Sequence, residues 1–173
     1  MIFFRMTGKI WTGKIHQYIK ITLHHNIQYV FLLRMYQKRE SIIKRALLYR
    51  LTRKFGLEIS VNSHIGNGLY LGHPYNITVA EGVTLGRNVN LHKGCTIGRE
   101  NRGRRAGVPT IGNRVYVGIN ATIVGNVTVG DNVLIAPGSF VNRDIPDNSI
   151  VIGNPCEVHC CEHATKGYVN YCV

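Results

Sequence analysis

A six-residue period constrains this chain more than any other feature. Aliphatic residues stand at Ile111, Val117, Ile123, Val129, Ile135 and Val141 without a break, and the same step joins Ile59, Ile65 and Leu71, then Leu85, Leu91 and Ile97. A small residue commonly follows, at Gly66, Gly72, Gly86, Gly98, Gly112, Gly118, Gly130 and Ala136. A second small or β-branched residue recurs four positions after the first, as at Val89, Cys95, Val115, Ala121, Val127, Val133 and Ser139. Each hexad reads as a short strand plus a bend. The aliphatic side chain points inward, and Gly or Asn in the bend tolerates a positive φ. Three hexads close one triangular coil, and coils stack at the inter-strand spacing of roughly 4.8 Å. One coil cannot bury its own core, so stability comes from stacking. A sandwich of alternating strands is the competing fold, and six consecutive in-phase units argue against it.

Before the repeats the pattern is different. Residues 1 to about 54 contain no Pro, and their only glycines are Gly8 and Gly13. Apolar residues fall at helical spacing at Ile27, Val30 and Phe31, then Leu47, Leu48 and Leu51, with a polar break at Gln37 to Ser41 and a stop at Gly56. A helix pair here is expected to bury one apolar stripe and leave a basic face in water. The expected organisation is a helical region over 1–56, a β-helix over 57–158 and a tail over 159–173.

The chain has 173 residues and a formal net charge of +12. That charge raises nucleic acid, anionic membrane and phosphate-bearing molecules as partners. Aromatic interleaving is missing from the basic stretches, so nucleic acid is not expected. Membrane-surface contact through the basic helical face is not expected. No apolar run is long enough to span a bilayer, and the start lacks the apolar core and cleavage site of a signal peptide. Of five cysteines, four lie in the last 18 residues and do not frame the whole domain. A cytoplasmic location is therefore expected. The tail residues His159, Cys160, Cys161, Glu162 and His163 fit no standard zinc spacing, and no metal is expected.

The register breaks twice, and insertions in repeat proteins become loops on one face, often the binding face. Two extra residues fall between Leu71 and Leu85, in the segment His73-Pro74-Tyr75-Asn76. The repeat is lost again between Ile97 and Ile111, over a basic excursion from Arg99 to Pro109.

Three stretches carry a family resemblance. They are Leu57-Glu58-Ile59 followed by Gly66-Asn67-Gly68-Leu69-Tyr70-Leu71-Gly72-His73, then Thr96-Ile97-Gly98 before the excursion, then Ile152-Gly153-Asn154-Pro155-Cys156. With the helical region and the two breaks, they make residues 30 to 158 resemble the serine O-acetyltransferase family of hexapeptide-repeat acyltransferases, including its branch that acetylates exopolysaccharide or capsule sugars. The resemblance implies a mainly β chain, a left-handed parallel β-helix with an N-terminal α-helical region, working as a homotrimer with acetyl-CoA as acyl donor. It places a catalytic base on His73 and its acidic partner on Glu58, where the serine enzymes usually carry Asp. An imidazole held by a carboxylate is suited to take a proton from an acceptor hydroxyl. The resemblance also suggests Gly118, Ile119, Ala136 and Pro137 for the pantetheine arm, with Arg143 and Gly153 nearer the nucleotide. His92, Arg99 and Arg105 are the candidates for binding the acceptor.

Departures from the serine enzymes bear on the acceptor. Gly72 stands where they commonly carry Asp, and Gly107-Val108 precedes Pro109 where they carry Arg-His. A sugar hydroxyl is therefore the expected acceptor, with L-serine as the alternative. A non-catalytic β-helix scaffold is the alternative from another class.

Overall fold

The computed structural model of the protein describes residues 24–170 and 172–173; the expectation of helix before residue 24 lies outside the described residues. Two helices, α1 (His25–Lys38) and α2 (Ile42–Phe55), are joined by the polar break expected at Gln37 to Ser41. Gly56 caps α2 in the left-handed conformation at φ 67°, donating its N–H to Thr52.

Among the described residues fifteen strands follow, and fourteen of them wind as a three-sided solenoid. One side stacks β1 (Leu57–Ile59), β4 (Ile77–Val79), β7 (Thr96–Gly98), β10 (Thr122–Val124) and β13 (Phe140–Val141). A second stacks β2 (His64–Ile65), β5 (Thr84–Leu85), β8 (Thr110–Ile111) and β11 (Thr128–Val129). The third stacks β3 (Tyr70–Gly72), β6 (Asn90–His92), β9 (Tyr116–Val117), β12 (Val133–Ile135) and β14 (Ser149–Ile152), and is closed by β15 (Glu157–Cys160). All pairings are parallel except β14 with β15.

The in-phase aliphatic residues form the interior, as expected: Leu85, Leu91, Ile97, Ile111, Val117, Ile123, Val129, Ile135 and Val141 are buried, and only Ile65, at the first coil, is half-buried. The two register breaks are also where the sequence put them. Inward residues Leu71 and Val79 are eight apart instead of six, and Ile97 and Ile111 are fourteen apart.

Why a glycine follows the aliphatic position needs correction. Gly66, Gly86, Gly112 and Gly130 do not have positive φ; the left-handed residues come later in the bend, at Gly68, Asn88, Arg114 and Asn132. The four glycines stack one above another, so close that a Cβ on Gly66 would stand 2.5 Å from the Gly86 carbonyl oxygen. Close backbone approach is the reason no side chain fits there.

The first coil presents a strand edge with unpaired backbone groups, which would otherwise template pairing with another chain. Helix α1 covers that edge with side chains. Tyr29 Oη accepts from the Ile59 N–H at 3.1 Å and faces the Ile59 carbonyl at 3.4 Å. Arg34 donates to the carbonyls of Ile65 and Gly66, and Gln37 donates to Val61 and Ser63. Tyr29 and Leu33 are buried against the first coil, whereas the stripe expected on α2 is only partly used: Leu48 is buried but Leu47 is 43% exposed. Among the described residues, no helix is long and apolar enough to cross a membrane.

At the other end the chain turns back. After β15 the tail runs along the corner between the second and third sides. Asn148 accepts from Cys161, Asn132 bonds to Glu162 and Thr165, and Asn88 bonds to Val173 at both its carbonyl and its N–H. Three left-handed asparagines thus anchor the tail to three different coils.

Candidate active site

The two extra residues after Leu71 make a bulged corner between the third and first sides. His73 opens it at φ 49°, a conformation that costs a non-glycine residue energy and that Asn tolerates best. Of the seven described non-glycine residues with positive φ, five are Asn; the others are His73 and Arg114. The corner is held on the end of α2: the Asn76 N–H donates to the Phe55 carbonyl at 3.0 Å, and a Cβ on Gly56 would collide with the Asn76 side chain. His25, the first residue of α1, stacks on Phe55 with centroids 4.0 Å apart and packs against Tyr75. Its Nε2 is buried without a hydrogen-bond partner.

Glu58 is the outward residue of β1, between inward-facing Leu57 and Ile59, and lies beside Thr78 of β4. The His73 corner leads directly into β4, whose middle residue Thr78 is the register partner of Glu58. Among the described residues no ion pair joins them.

Most of the other expected residues fall on the same prism edge as His73. Successive turns there are linked by backbone hydrogen bonds: Lys93 to Gly72, Asn120 to Lys93, Gly138 to Ile119 and Phe140 to Gly153. Gly118 and Ala136 stack beside them through bonds to Ile135 and Val151. Gly118 has no room for a side chain, since its Cβ would stand 2.7 Å from the Pro137 nitrogen. His73, His92, Gly118, Ile119, Ala136, Pro137 and Gly153 therefore form one column.

Arg99, Arg105 and Arg143 are not part of it. They lie at the opposite margin of the first side, where the basic excursion leaves the coil. Arg105 pairs with Asp144 at 3.5 Å, and Arg99 reaches the Glu81 carbonyl at 3.5 Å. Arg143, expected near the nucleotide with Gly153, is separated from Gly153 by the intervening strand β13 and its turn. A hollow of about 320 Å³ lies under the excursion, lined by Glu100, Arg102, Arg104, Arg105, Val124, Phe140 and Asn142. A larger groove of about 670 Å³ between α1 and the second side contains none of the expected site residues.

His92 ends β6 opposite Gly72. Its ring lies 6.4 Å from the His73 ring, 4.6 Å from Tyr116 and 6.2 Å from Tyr70. Desolvation, and then the neighbouring His73, hold its pKa below the ordinary value of 6.5, so the ring is neutral near pH 7. Tyr116 in turn meets Tyr168 of the tail at 4.8 Å. The sequence did not single out Tyr116 or Tyr168. Register alone places Tyr116 two residues before Gly118 on the outward face, but Tyr168 lies beyond the repeats and only the folded tail brings it there.

Comparison with known proteins agrees with this architecture. Residues 109–143 match the bacterial transferase hexapeptide (six repeats) family. The chain is 32% identical over 120 residues to the serine acetyltransferase of Helicobacter pylori, covering 69% of this chain and 70% of that one. It is 32% identical to the serine acetyltransferase of Synechococcus elongatus over 72% of this chain and 51% of that protein. The crystal structure of Neisseria gonorrhoeae serine acetyltransferase in complex with serine superposes with a TM-score of 0.70 at 30% identity, over 83% of this chain and 60% of that one. The fold and the column thus define a hexapeptide-repeat transferase. Within that class, the chain belongs to the serine O-acetyltransferase family, and it spans 51% and 39% of the length of the first two curated relatives it matches.

Proposed function

We propose that the protein is an O-acetyltransferase that moves the acetyl group of acetyl-CoA to an acceptor hydroxyl, with L-serine as the acceptor. The single observation that carries the reading is the column: a histidine in a strained, bulged corner, above the stacked small residues that the resemblance assigns to the pantetheine arm. The choice of serine over the sugar expected from the sequence rests on the relatives, which are named serine acetyltransferases.

In the proposed reaction His73 accepts the acceptor's hydroxyl proton as the oxygen attacks the thioester carbonyl. The new C–O bond forms, the C–S bond breaks, and the proton passes from His73 to the departing CoA thiolate. Backbone N–H groups steady the intermediate oxyanion. Glu58 is assigned the role of holding the imidazole as it becomes charged. A cytoplasmic homotrimer belongs to the same proposal; the resemblance supports the trimer and the cysteine usage supports the compartment.

One observation favours a saccharide as a second reading. Gly72 and Val108 stand where the serine enzymes place charged or ionisable side chains, and the ring of His92 fills the space next to Gly72. Acetyl-CoA consumption measured with L-serine, and separately with nucleotide sugars and oligosaccharides, decides between them. Turnover with serine supports the first reading; turnover only with saccharides replaces it with the second.

A further inference from the structure

We propose that His92 is an acceptor-binding residue of this site, seated beside His73 in space that exists only because residue 72 is glycine. The inference rests on the acetyltransferase reading and adds to it a residue that touches the acceptor.

Strands β3 and β6 pair directly. Gly72 and His92 are register partners, and Lys93 bonds back to the Gly72 carbonyl at 3.1 Å. A Cβ built on Gly72 would stand 2.4 Å from His92 Cε1 and 2.6 Å from Nδ1. The imidazole therefore occupies the volume in which a side chain at 72 would sit. Gly72 does not have positive φ, so its backbone conformation does not require glycine; the ring does.

The position of the ring is fixed from the other side. Tyr116 packs against it at 4.6 Å, and Tyr168 packs on Tyr116 at 4.8 Å. Tyr168 is anchored through its carbonyl, which accepts from the Asn90 side chain at 2.9 Å. Asn90 is on the same strand as His92, two residues before it, and is buried by the tail. The tail thus closes an aromatic stack that presses His92 toward His73.

His92 is nonetheless not satisfied by the protein. Among the described residues its ring nitrogens have no hydrogen-bond partner, and they are not sealed from solvent as His25 Nε2 is. A neutral imidazole carries one donor and one acceptor nitrogen. It offers both to a small polar acceptor, an amino acid or a sugar, whose reacting hydroxyl meets His73 about one ring away. A ring held neutral does not repel the imidazolium that forms on His73.

The test uses two variants that fill similar volume, His92→Gln and His92→Leu, together with Gly72→Ala. Steady-state KM values are measured for acetyl-CoA and for the acceptor, with thermal melts alongside. Gln retains a donor and an acceptor, so His92→Gln is expected to keep the acceptor KM within about threefold, whereas His92→Leu raises it about tenfold, the worth of one hydrogen bond. The KM for acetyl-CoA stays within about twofold in both. Gly72→Ala displaces the ring and is expected to raise the acceptor KM as His92→Leu does. Equal acceptor KM values for the Gln and Leu variants, or a parallel rise in both substrates' KM, would assign the ring to packing and overturn the proposal. A wild-type protein that consumes no acetyl-CoA with any acceptor overturns the parent reading instead, an outcome read before any variant is made.

Discussion

A Cβ placed on Gly86 would stand 2.5 Å from the carbonyl oxygen of Gly112 in the coil above, and that contact recurs from Gly66 to Gly86 below. The obstacle is backbone on every side, so the coil cannot relax by turning a side chain. Gly86→Ala is expected to cost about 2–3 kcal/mol in urea unfolding, within the range of overpacked cores. Gly98→Ala, whose Cβ would meet the end of the Val124 side chain at 3.3 Å, is expected to cost less. Equal costs for the two would contradict close approach as the reason for the column.

The cap on the first coil gives a second expectation. Tyr29 is 2% exposed and its hydroxyl serves the backbone of Ile59. Tyr29→Phe preserves the packing and leaves that buried N–H without its partner, so a loss of about 1–3 kcal/mol is expected in the same unfolding measurement. No measurable change would mean that water reaches the edge and that α1 does not protect it.

Two histidines set the acid side of the stability profile. His92 and His25 both have pKa values pushed below 6.5, chiefly by burial; His73 adds to the effect at His92, and His24 and Lys54 at His25, where the Pro74 carbonyl pulls the other way. The folded state then binds these protons less readily than the unfolded chain. Stability is full above the unfolded value of 6.5 and falls as pH drops below it toward the folded values. Urea midpoints measured from pH 7.5 down to 5.5 are expected to fall, and His92→Gln to fall less. A midpoint that rises on acidification would contradict the assignment.

Burial pushes the Cys95 thiol up to about 12, whereas Cys160 and Cys172 are exposed. A thiol-disulfide reagent applied to the native protein is expected to label Cys160 and Cys172 quickly and Cys95 only after unfolding. Rapid native labelling of Cys95 would show that the coil interior opens.

Much of this molecule was legible because its main order is local. A side chain that must point inward every sixth residue declares itself along the chain, and from Ile111 to Val141 nothing interrupts the count. Register breaks are equally visible, so the corner at His73 and the excursion from Arg99 show in the sequence as lost counts. What escaped depends on contacts across coils or between distant segments. The glycine after each aliphatic residue looks like a bend residue in one dimension and is a clearance residue in three. The anchoring of Val173 to Asn88 and of Thr165 to Asn132 has no period to announce it. The resemblance puts Arg143 with Gly153 near the nucleotide, yet the triangular cross-section puts them on different corners. Each hexad position recurs at all three corners, so the corner depends on which of a coil's three hexads a residue follows: Arg143 follows Val141 of the first side and Gly153 follows Val151 of the third.

His73 is assigned as the base, and turnover tests that role most directly. CoA release from acetyl-CoA in the presence of L-serine is followed for the wild type and for His73→Ala, with circular dichroism confirming the fold of both. A fall of at least about a thousandfold in the variant, with its spectrum and melting temperature retained, is the predicted result. Near-normal turnover in a folded His73→Ala protein would contradict it.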